Sequence, residues 1–410
     1  MKPSLRSTDL PMSQRDRVLD LVERHGWNAT AFQTLGSGYS YFFHGDDACV
    51  AYVDTGSAWV AAGAPIATPA AISSCASAFT RAARLSGKRS CFFATEERFR
   101  ELAGGALRSL LIGEQPSWDP RRWPATLAQH RSLREQLRRA RAKGVHVRRA
   151  TAQELQVGPT RVGIMRVVER WLETRGMAPM EFLVRVDPFT FPNKRACFVA
   201  EQDGSVIGFA GVIPVPTRSG WFIENLVRDP DAPNGTSELL VDAVMRWLAT
   251  TTSTWLTLGL TPLAGDVAGI LRLARDQSAW LYDFKGLHAY KAKLRPNAWS
   301  PIYLSYPATQ SEFLSIVDVL AAFARGGFLL FGIRSLLRAP SVILRARSSI
   351  NVGTCLGAMK RCDTVSFGLS IGKRLRAWRD PHWSDSRHTT GLADAGRAQS
   401  VLVHGHGSRR

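Results

Sequence analysis

The chain is short of acid. Its 410 residues carry 53 Lys and Arg against 34 Asp and Glu, a formal charge of +19. An excess of that size attracts polyanions at long range and points to nucleic acid, anionic lipid or phosphorylated ligands, while leaving the fold open. Cysteine is sparse as well. Cys49, Cys75, Cys91, Cys197, Cys355 and Cys362 are scattered, with no CxxC pair and no histidine at ligand spacing. Neither a zinc site nor a disulfide framework is indicated, and a reducing cytoplasm is expected. No window offers about 18 uninterrupted apolar residues, so no membrane span is expected. The N-terminus, MKPSLRSTDLPMSQRDRVLDLVERHG, is too polar for a signal peptide. What remains is a globular composition, 45% hydrophobic and 21% charged, long enough for two or three domains.

Periodicity and turn residues predict a helix over 13–26, closed by Gly26, then strands in YSYFFHG and ACVAYVD joined through Gly45-Asp46-Asp47. SAWVAAGAPIA adds a strand and a Gly/Pro turn, followed by a helix from Pro69 to Leu85, the strand SCFFAT, a short helix and SLLIGEQP. A basic helix is predicted from Pro124 to Lys143, stopped by Gly144, with a strand at 145–149. The pattern then restarts: a helix at 151–175, strands ACFVAEQDG, SVIGFAGVIPV and GWFIENLVR, a helix at 235–250 and the strand TWLTLGL. A helix feeding antiparallel strands and then a strand-helix-strand step, met twice, is the order of an α/β (α+β) fold built from tandem N-acetyltransferase-like (GNAT) domains, 1–144 and 145–307. The remainder, 308–410, is an amphipathic and basic tail. Its segment FLSIVDVLAAFARGGFLLFGIRSLLRAPSVILRAR suits either a membrane surface or ordinary packing on the second domain. The last thirty residues, rich in Ser, His, Gly and Arg, have the composition of a disordered end.

Three stretches carry chemistry. In HRSLREQLRRARAKGVHVRR the helical period puts Arg131, Arg134, Arg138 and Arg141 on one stripe and Leu133, Leu137 and Ala140 on another that faces the core. Solvated helix faces usually mix charge signs, whereas this one has Glu135 as its only acid. Arginine forks suit phosphate oxygens. In IENLVRDPDAPNGTSELLVDAVMRWLA a strand runs through a Pro-Asn-Gly turn into a helix with Asn234, Thr236 and Ser237 as cap candidates. Strand alternation places Glu224 and Arg228 on the same face, either at a cleft mouth or as a structural ion pair. In WLYDFKGLHAYKAKLRPNAWSPIYLSYP, Lys285, Lys291, Lys293 and Arg295 alternate with Tyr282, Phe284, Tyr290 and Trp299, a mixture suited to a phosphate held beside apolar surface.

Together these stretches resemble the C-terminal synthase domain of the phosphatidylglycerol lysyltransferase family, the aminoacyl-phosphatidylglycerol synthases. The similar pieces are GAPIA (63–67), HRSLREQLRRARAKGVHV (130–147), NLVRDPDAPNGTSELL (225–240), LGLTPLAG (258–265) and FKGLHAYKAKLRPNAWSPIYLSYP (284–307), in the same order. The resemblance implies two acetyltransferase-like domains enclosing a tunnel. It also implies transfer of an aminoacyl group from aminoacyl-tRNA to a hydroxyl of an anionic phospholipid such as phosphatidylglycerol, with tRNA and lipid arriving from opposite sides. No metal and no other cofactor is implied.

On this resemblance Glu224, Asn225 and Arg228 are the expected catalytic residues. Lys285, Lys291, Asn234, Gly235 and Glu238 are expected to bind substrate, and Arg131, Arg134, Arg138 and Arg141 to bind tRNA. The family's Asp-Leu-Met-Arg element reads Asn225-Leu226-Val227-Arg228 here, so its arginine is kept while its acid is an amide. Glu224 is next to it but points to the other face unless the backbone is bulged. The multi-span membrane portion that commonly precedes this domain is not in the sequence. The expectation is therefore a free-standing synthase in the cytoplasm, peripheral at the inner face of the cell membrane. Two rival readings are an acyl-CoA-dependent N-acyltransferase and a nucleic-acid-binding protein without catalysis. The first needs a Gly-rich pyrophosphate turn where this chain has DPDAPNG, with one glycine.

Overall fold

The computed structural model describes residues 5–6, 12–174, 182–264 and 284–324. The first half follows the predicted order closely. Helix α1 (Met12–His25) leads, through a 3₁₀ turn at Phe32–Leu35, into the antiparallel strands β2 (Ser40–Phe43), β3 (Cys49–Asp54) and β4 (Ala58–Ala62); the two-residue β1 (Leu5–Arg6) pairs with β2. Helix α2 (Pro69–Leu85) then crosses to β5 (Arg89–Glu96), which lies parallel to β4. The short α3 (Glu97–Ala103) and the long β6 (Leu107–Trp118) complete it.

Two predicted helices are each broken in two. The basic helix is α4 (Trp123–Gln129) and α5 (Arg131–Ala142), parted at His130, whose φ of −114° and ψ of 89° leave the helical region. The helix expected at 151–175 is α6 (Ala152–Gln156) and α7 (Pro159–Glu173), because Gly158 at φ +112° turns the chain and Pro159 starts a new first turn. Between α5 and α6 lies β7 (His146–Ala150). Strands β8 (Ala196–Gln202), β9 (Ser205–Val215) and β10 (Gly220–Arg228) are followed by α8 (Thr236–Ala249) and β11 (Trp255–Thr257), which is parallel to β10. The strand expected across TWLTLGL thus stops after three residues. The chain continues through β12 (Thr261–Pro262), α9 (Phe284–Lys293), β13 (Ala298–Pro307) and α10 (Glu312–Phe323). Residues 325–410, most of the tail, lie outside the described residues.

Each half repeats an antiparallel meander, a crossover helix and a parallel strand, the expected acetyltransferase-like order. The halves then exchange their last strands. In the sheet order β1-β2-β3-β4-β5-β13-β6-β11-β10-β9-β8-β7, late β13 sits between β5 and β6, while early β6 runs between β13 and β11. Neither half completes its own sheet without the other.

Alternation sorts the layers. One face, called A here, is covered by α1, the 32–39 segment, α7 and α10, over a core that includes Leu21, Val60, Ile112, Ile213 and Leu304. The opposite face B is covered by α2 and α3 in the first half and by α4, α5 and α8 in the second. Leu133, Leu137 and Ala140 of α5 are buried there as predicted, against Leu240 and Val244 of α8. Two buried acids tie helices down. Asp318 of α10 takes a two-pronged bond from Arg89 at 2.8 and 2.6 Å. Asp242 of α8 accepts from Trp123 of α4 at 2.9 Å, from Arg141 of α5 at 2.6 Å and from Arg246 at 3.0 Å.

Asp242 is therefore expected to be the polar pin of face B. Asp242→Ala leaves the buried Trp123 N–H unpaired and should cost about 2–3 kcal/mol in urea unfolding. Arg246→Ala, which removes a half-exposed partner, should cost less than about 1 kcal/mol. Equal costs for the two would contradict the assignment.

Candidate active site

The site grows from one irregularity in β10. Gly220 to Ile223 pair with Val215 to Val212 in strict register, and the ladder resumes at Asn225 opposite Gly211. Glu224 is the extra residue of a β-bulge. Ile223 and Leu226 both pack in the α8 core on face B. The two residues between them therefore both point to face A, and Glu224 and Asn225 lie side by side. The expected separation of these two residues by alternation is corrected by the bulge. The same shift overturns the expected common face of Glu224 and Arg228. Val227 returns to face A, in the core under α7, and Arg228 lies on face B, where it donates to the Ala232 carbonyl at 2.9 Å.

At the same place β10 loses its neighbour. It pairs with β11 only over Gly220–Phe222, and beyond Thr257 the two strands part. On the far lip the Lys291 ammonium donates to the carbonyls of Leu258, Gly259 and Leu260 at 2.9, 2.9 and 3.0 Å. Those carbonyls would have bonded along a longer β11. Lys291 is 4% exposed and burial pushes its pKa down to about 7. All three ammonium donors are spent on the backbone, so the lysine holds the parting open and has none left for a phosphate.

On face A, Glu224 is buried against an equally buried Arg195, whose Nη1 donates to it at 2.5 Å and to the Asp187 carbonyl at 3.0 Å. Burial raises the Glu224 pKa while Arg195 opposes the rise. A cavity of about 40 Å³ opens beside the pair, lined by Gln33, Tyr39, Asp187, Arg195 and Glu224 among others. Both halves of the chain thus furnish its wall. Asn225 is 5% exposed and its Oδ1 has no hydrogen-bond partner. It lies so close to Gly211 that a Cβ there would stand 3.0 Å from Oδ1, which explains a glycine inside a central strand.

Face B holds the other candidates. Glu238 is buried and bound by Lys293 at 2.8 Å, and Tyr290 stands beside Ser237, Glu238 and Arg228. The cap expected from Asn234, Thr236 or Ser237 does not form. The cap position belongs to Gly235 at φ +98°, with no side-chain bond; Asn234 is exposed and the Thr236 hydroxyl turns back to the Pro233 carbonyl. A Cβ on Gly235 would lie 2.6 Å from the Gln136 carbonyl, so this glycine lets α5 sit against the start of α8. The Lys285 side chain lies outside the described residues.

The arginine stripe is only partly free. The Arg134 guanidinium donates to the Leu127 and Ala128 carbonyls at the end of α4, the first of which also accepts from the His130 N–H. Arg141 is held by Asp242. Arg138 is exposed and pairs with Glu135 at 2.6 Å, and that pairing lowers the Glu135 pKa to about 2. Arg131 is exposed, with no ion-pair partner among the described residues. Beside them an open groove of about 450 Å³ is lined by Thr126, Gln129, His130, Arg295, Asn297 and Trp299 among others. Arg195, Gln33, Tyr39 and Asp187 were absent from the predicted set. The glycine opposite Asn225 was the available sign of the bulge that gathers them.

Lys291 gives a measurable signature. Between its folded value near 7 and the unfolded value of about 10.4 the unfolded chain binds more protons, so stability should rise with pH across that window. Urea unfolding at pH 7, 8 and 9 should show the rise in the wild type and its loss in Lys291→Met. An unaltered slope would refute the buried-lysine reading.

The family model described as phosphatidylglycerol lysyltransferase, C-terminal, matches residues 19–306. A curated relative, phosphatidylglycerol lysyltransferase of Bacillus subtilis (strain 168), is 25% identical over 133 residues, covering 30% of this chain and 15% of that protein. Two solved structures share the fold. The C-terminal (DUF2156) domain of a protein named as a lysylphosphatidylglycerol synthetase from Agrobacterium fabrum superposes with a TM-score of 0.67 at 22% identity, over 77% of this chain and 98% of that one. L-PGS from Bacillus licheniformis gives 0.64 at 19% identity, over 78% and 97%.

Proposed function

The chain belongs to the family of phosphatidylglycerol lysyltransferase C-terminal domains, and from that premise we propose that it moves an aminoacyl group, lysyl in the first instance, from aminoacyl-tRNA to a hydroxyl of phosphatidylglycerol or a similar anionic lipid. The observation that carries the reading is the bulge in β10. It sets Glu224 and an unpartnered Asn225 oxygen together where β10 and β11 part.

The donor ester is already activated, so the protein's work is to align the acceptor, manage one proton and steady the oxyanion. The lipid hydroxyl oxygen attacks the ester carbonyl carbon as Glu224 takes the hydroxyl proton. The tetrahedral centre then collapses, the ribose oxygen departs, and the proton passes to it. Burial raises the Glu224 pKa toward the range useful for such a shuttle, and Arg195 fixes the carboxylate's orientation. Asn225 Oδ1 accepts from the aminoacyl ammonium. Arg228 and the Glu238–Lys293 pair serve the substrate on face B, and no metal or other cofactor enters.

On this reading the tRNA lies on face B, and its contact rests on Arg131 and Arg138, since Arg134 and Arg141 are committed to the fold. Arg138 can exchange Glu135 for a phosphate at little cost, because the pair is exposed. The chain works as two interlocked acetyltransferase-like halves, 1–144 and 145–307, at the inner face of the cell membrane. The acyl-CoA reading is disfavoured by Gly235: the start of α8, where a pyrophosphate would lie, is packed against the backbone of α5.

Glu224→Gln should lower the rate of lysyl transfer to phosphatidylglycerol by about 10²-fold or more while tRNA binding is kept. Undiminished transfer in that variant removes Glu224 from the mechanism. In tRNA titrations against salt, Arg131→Ala and Arg138→Ala should each reduce the log–log slope by about one unit. Slopes that stay at the wild-type value would assign α5 to ordinary surface charge.

A further inference from the structure

The matched family region ends at residue 306, and α10 lies beyond it. The helix is two-faced. Ser315, Asp318, Val319 and Ala322 are buried on the sheet, whereas Phe313 is 62% exposed, Leu320 48% and Leu314 40%. The Arg89–Asp318 fork, whose acid is 1% exposed, fixes the helix so that the apolar residues stay outward. Three large apolar side chains on one short fixed helix mark a contact surface, not scattered surface residues.

Two observations identify what covers that surface. The first is position. Phe323, at the end of α10, packs on Phe182 with ring centres 5.3 Å apart, Phe182 packs on Tyr39 at 6.2 Å, and Tyr39 lines the cavity beside Glu224. The exposed stripe and the cavity therefore share face A, away from the arginines of α5. The second is charge. The chain leaves the end of α10 for 87 further residues, and from 325 to 362 it contains Arg325, Arg334, Arg338, Arg345, Arg347, Lys360 and Arg361 with no Asp or Glu, among Leu, Ile, Phe and Val. Apolar residues interleaved with uncompensated cations complement an anionic bilayer.

We propose that the outward face of α10, through Phe313, Leu314 and Leu320, is the surface by which the protein docks on an anionic lipid bilayer, presenting the Glu224 cavity to the headgroups. This rests on the lipid-acceptor reading above and adds to it a specific membrane contact. The docking residues lie apart from the site, so they affect access to the bilayer and leave the chemistry alone.

The test uses the full chain and two forms of one lipid. In co-sedimentation with vesicles of phosphatidylglycerol and phosphatidylcholine, Phe313→Glu/Leu320→Glu should weaken binding by about tenfold or more. Transfer to vesicle phosphatidylglycerol should fall with it, while transfer to monomeric dihexanoyl-phosphatidylglycerol stays at the wild-type rate. The milder Phe313→Ser/Leu320→Ser pair should fall between the two if the glutamates disturb folding. Wild-type vesicle binding by both folded variants overturns the docking face, whether α10 is then covered by the tail or by a second copy of the chain. Equal loss on vesicle and monomeric lipid also overturns it. Absence of transfer by the wild type to either lipid form would instead count against the transferase reading, and vesicle binding alone would still decide the docking face.

Discussion

The parting of β10 from β11 is the constraint on which the rest of the structure depends. A sheet that continued pairing past Phe222 and Thr257 would bury both strand edges and leave no room for chemistry at its centre. Two devices keep it open. On one lip the extra residue Glu224 turns β10 out of register. On the other, a buried ammonium occupies the three carbonyls of residues 258–260. Burying a lysine is costly, and a hydrophobic residue would pack there more cheaply. The three carbonyl bonds offset that cost and keep the edge open.

The strand exchange puts the parting at the middle of the sheet, and both halves furnish the wall of the cavity beside Glu224. Because β6 runs on into the second half and β13 returns to the first, Gln33 and Tyr39 of the first half come to face Glu224 and Arg195 of the second. The two surfaces across the sheet are chemically unlike. Face B carries the exposed Arg131 and Arg138 and face A carries the apolar stripe of α10. The proposed transfer between a polynucleotide ester and a membrane lipid would use the two faces for different partners.

Much of this was legible in the sequence, and the losses have identifiable physical causes. Element order, the crossover helices expected at 69–85 and 235–250, and the core stripe Leu133-Leu137-Ala140 follow from periodicity and turn residues. The break at Gly158 carries a Gly-Pro turn signal in the sequence, whereas the break at His130 has neither Gly nor Pro to mark it. Face assignments failed around Glu224, since one inserted residue reverses every later side chain in a strand. Lys291 read as a phosphate ligand because composition records that a cation is present and cannot record that the carbonyls of residues 258–260 absorb it. Arg134 and Arg141 likewise read as free charge, though one caps a helix end and the other binds a buried acid. The family resemblance was readable in order and motif, whereas the pairing of Glu224 with Arg195 needed the fold.

The most direct measurement is mass spectrometry of polar lipids from otherwise identical cells with and without the chain. The account predicts a new lipid species whose mass exceeds that of phosphatidylglycerol by one aminoacyl residue, and which disappears when the chain is absent. Identical lipid profiles in the two cells, with the protein present and folded, would contradict the claim that the opening between β10 and β11 serves a lipid acceptor.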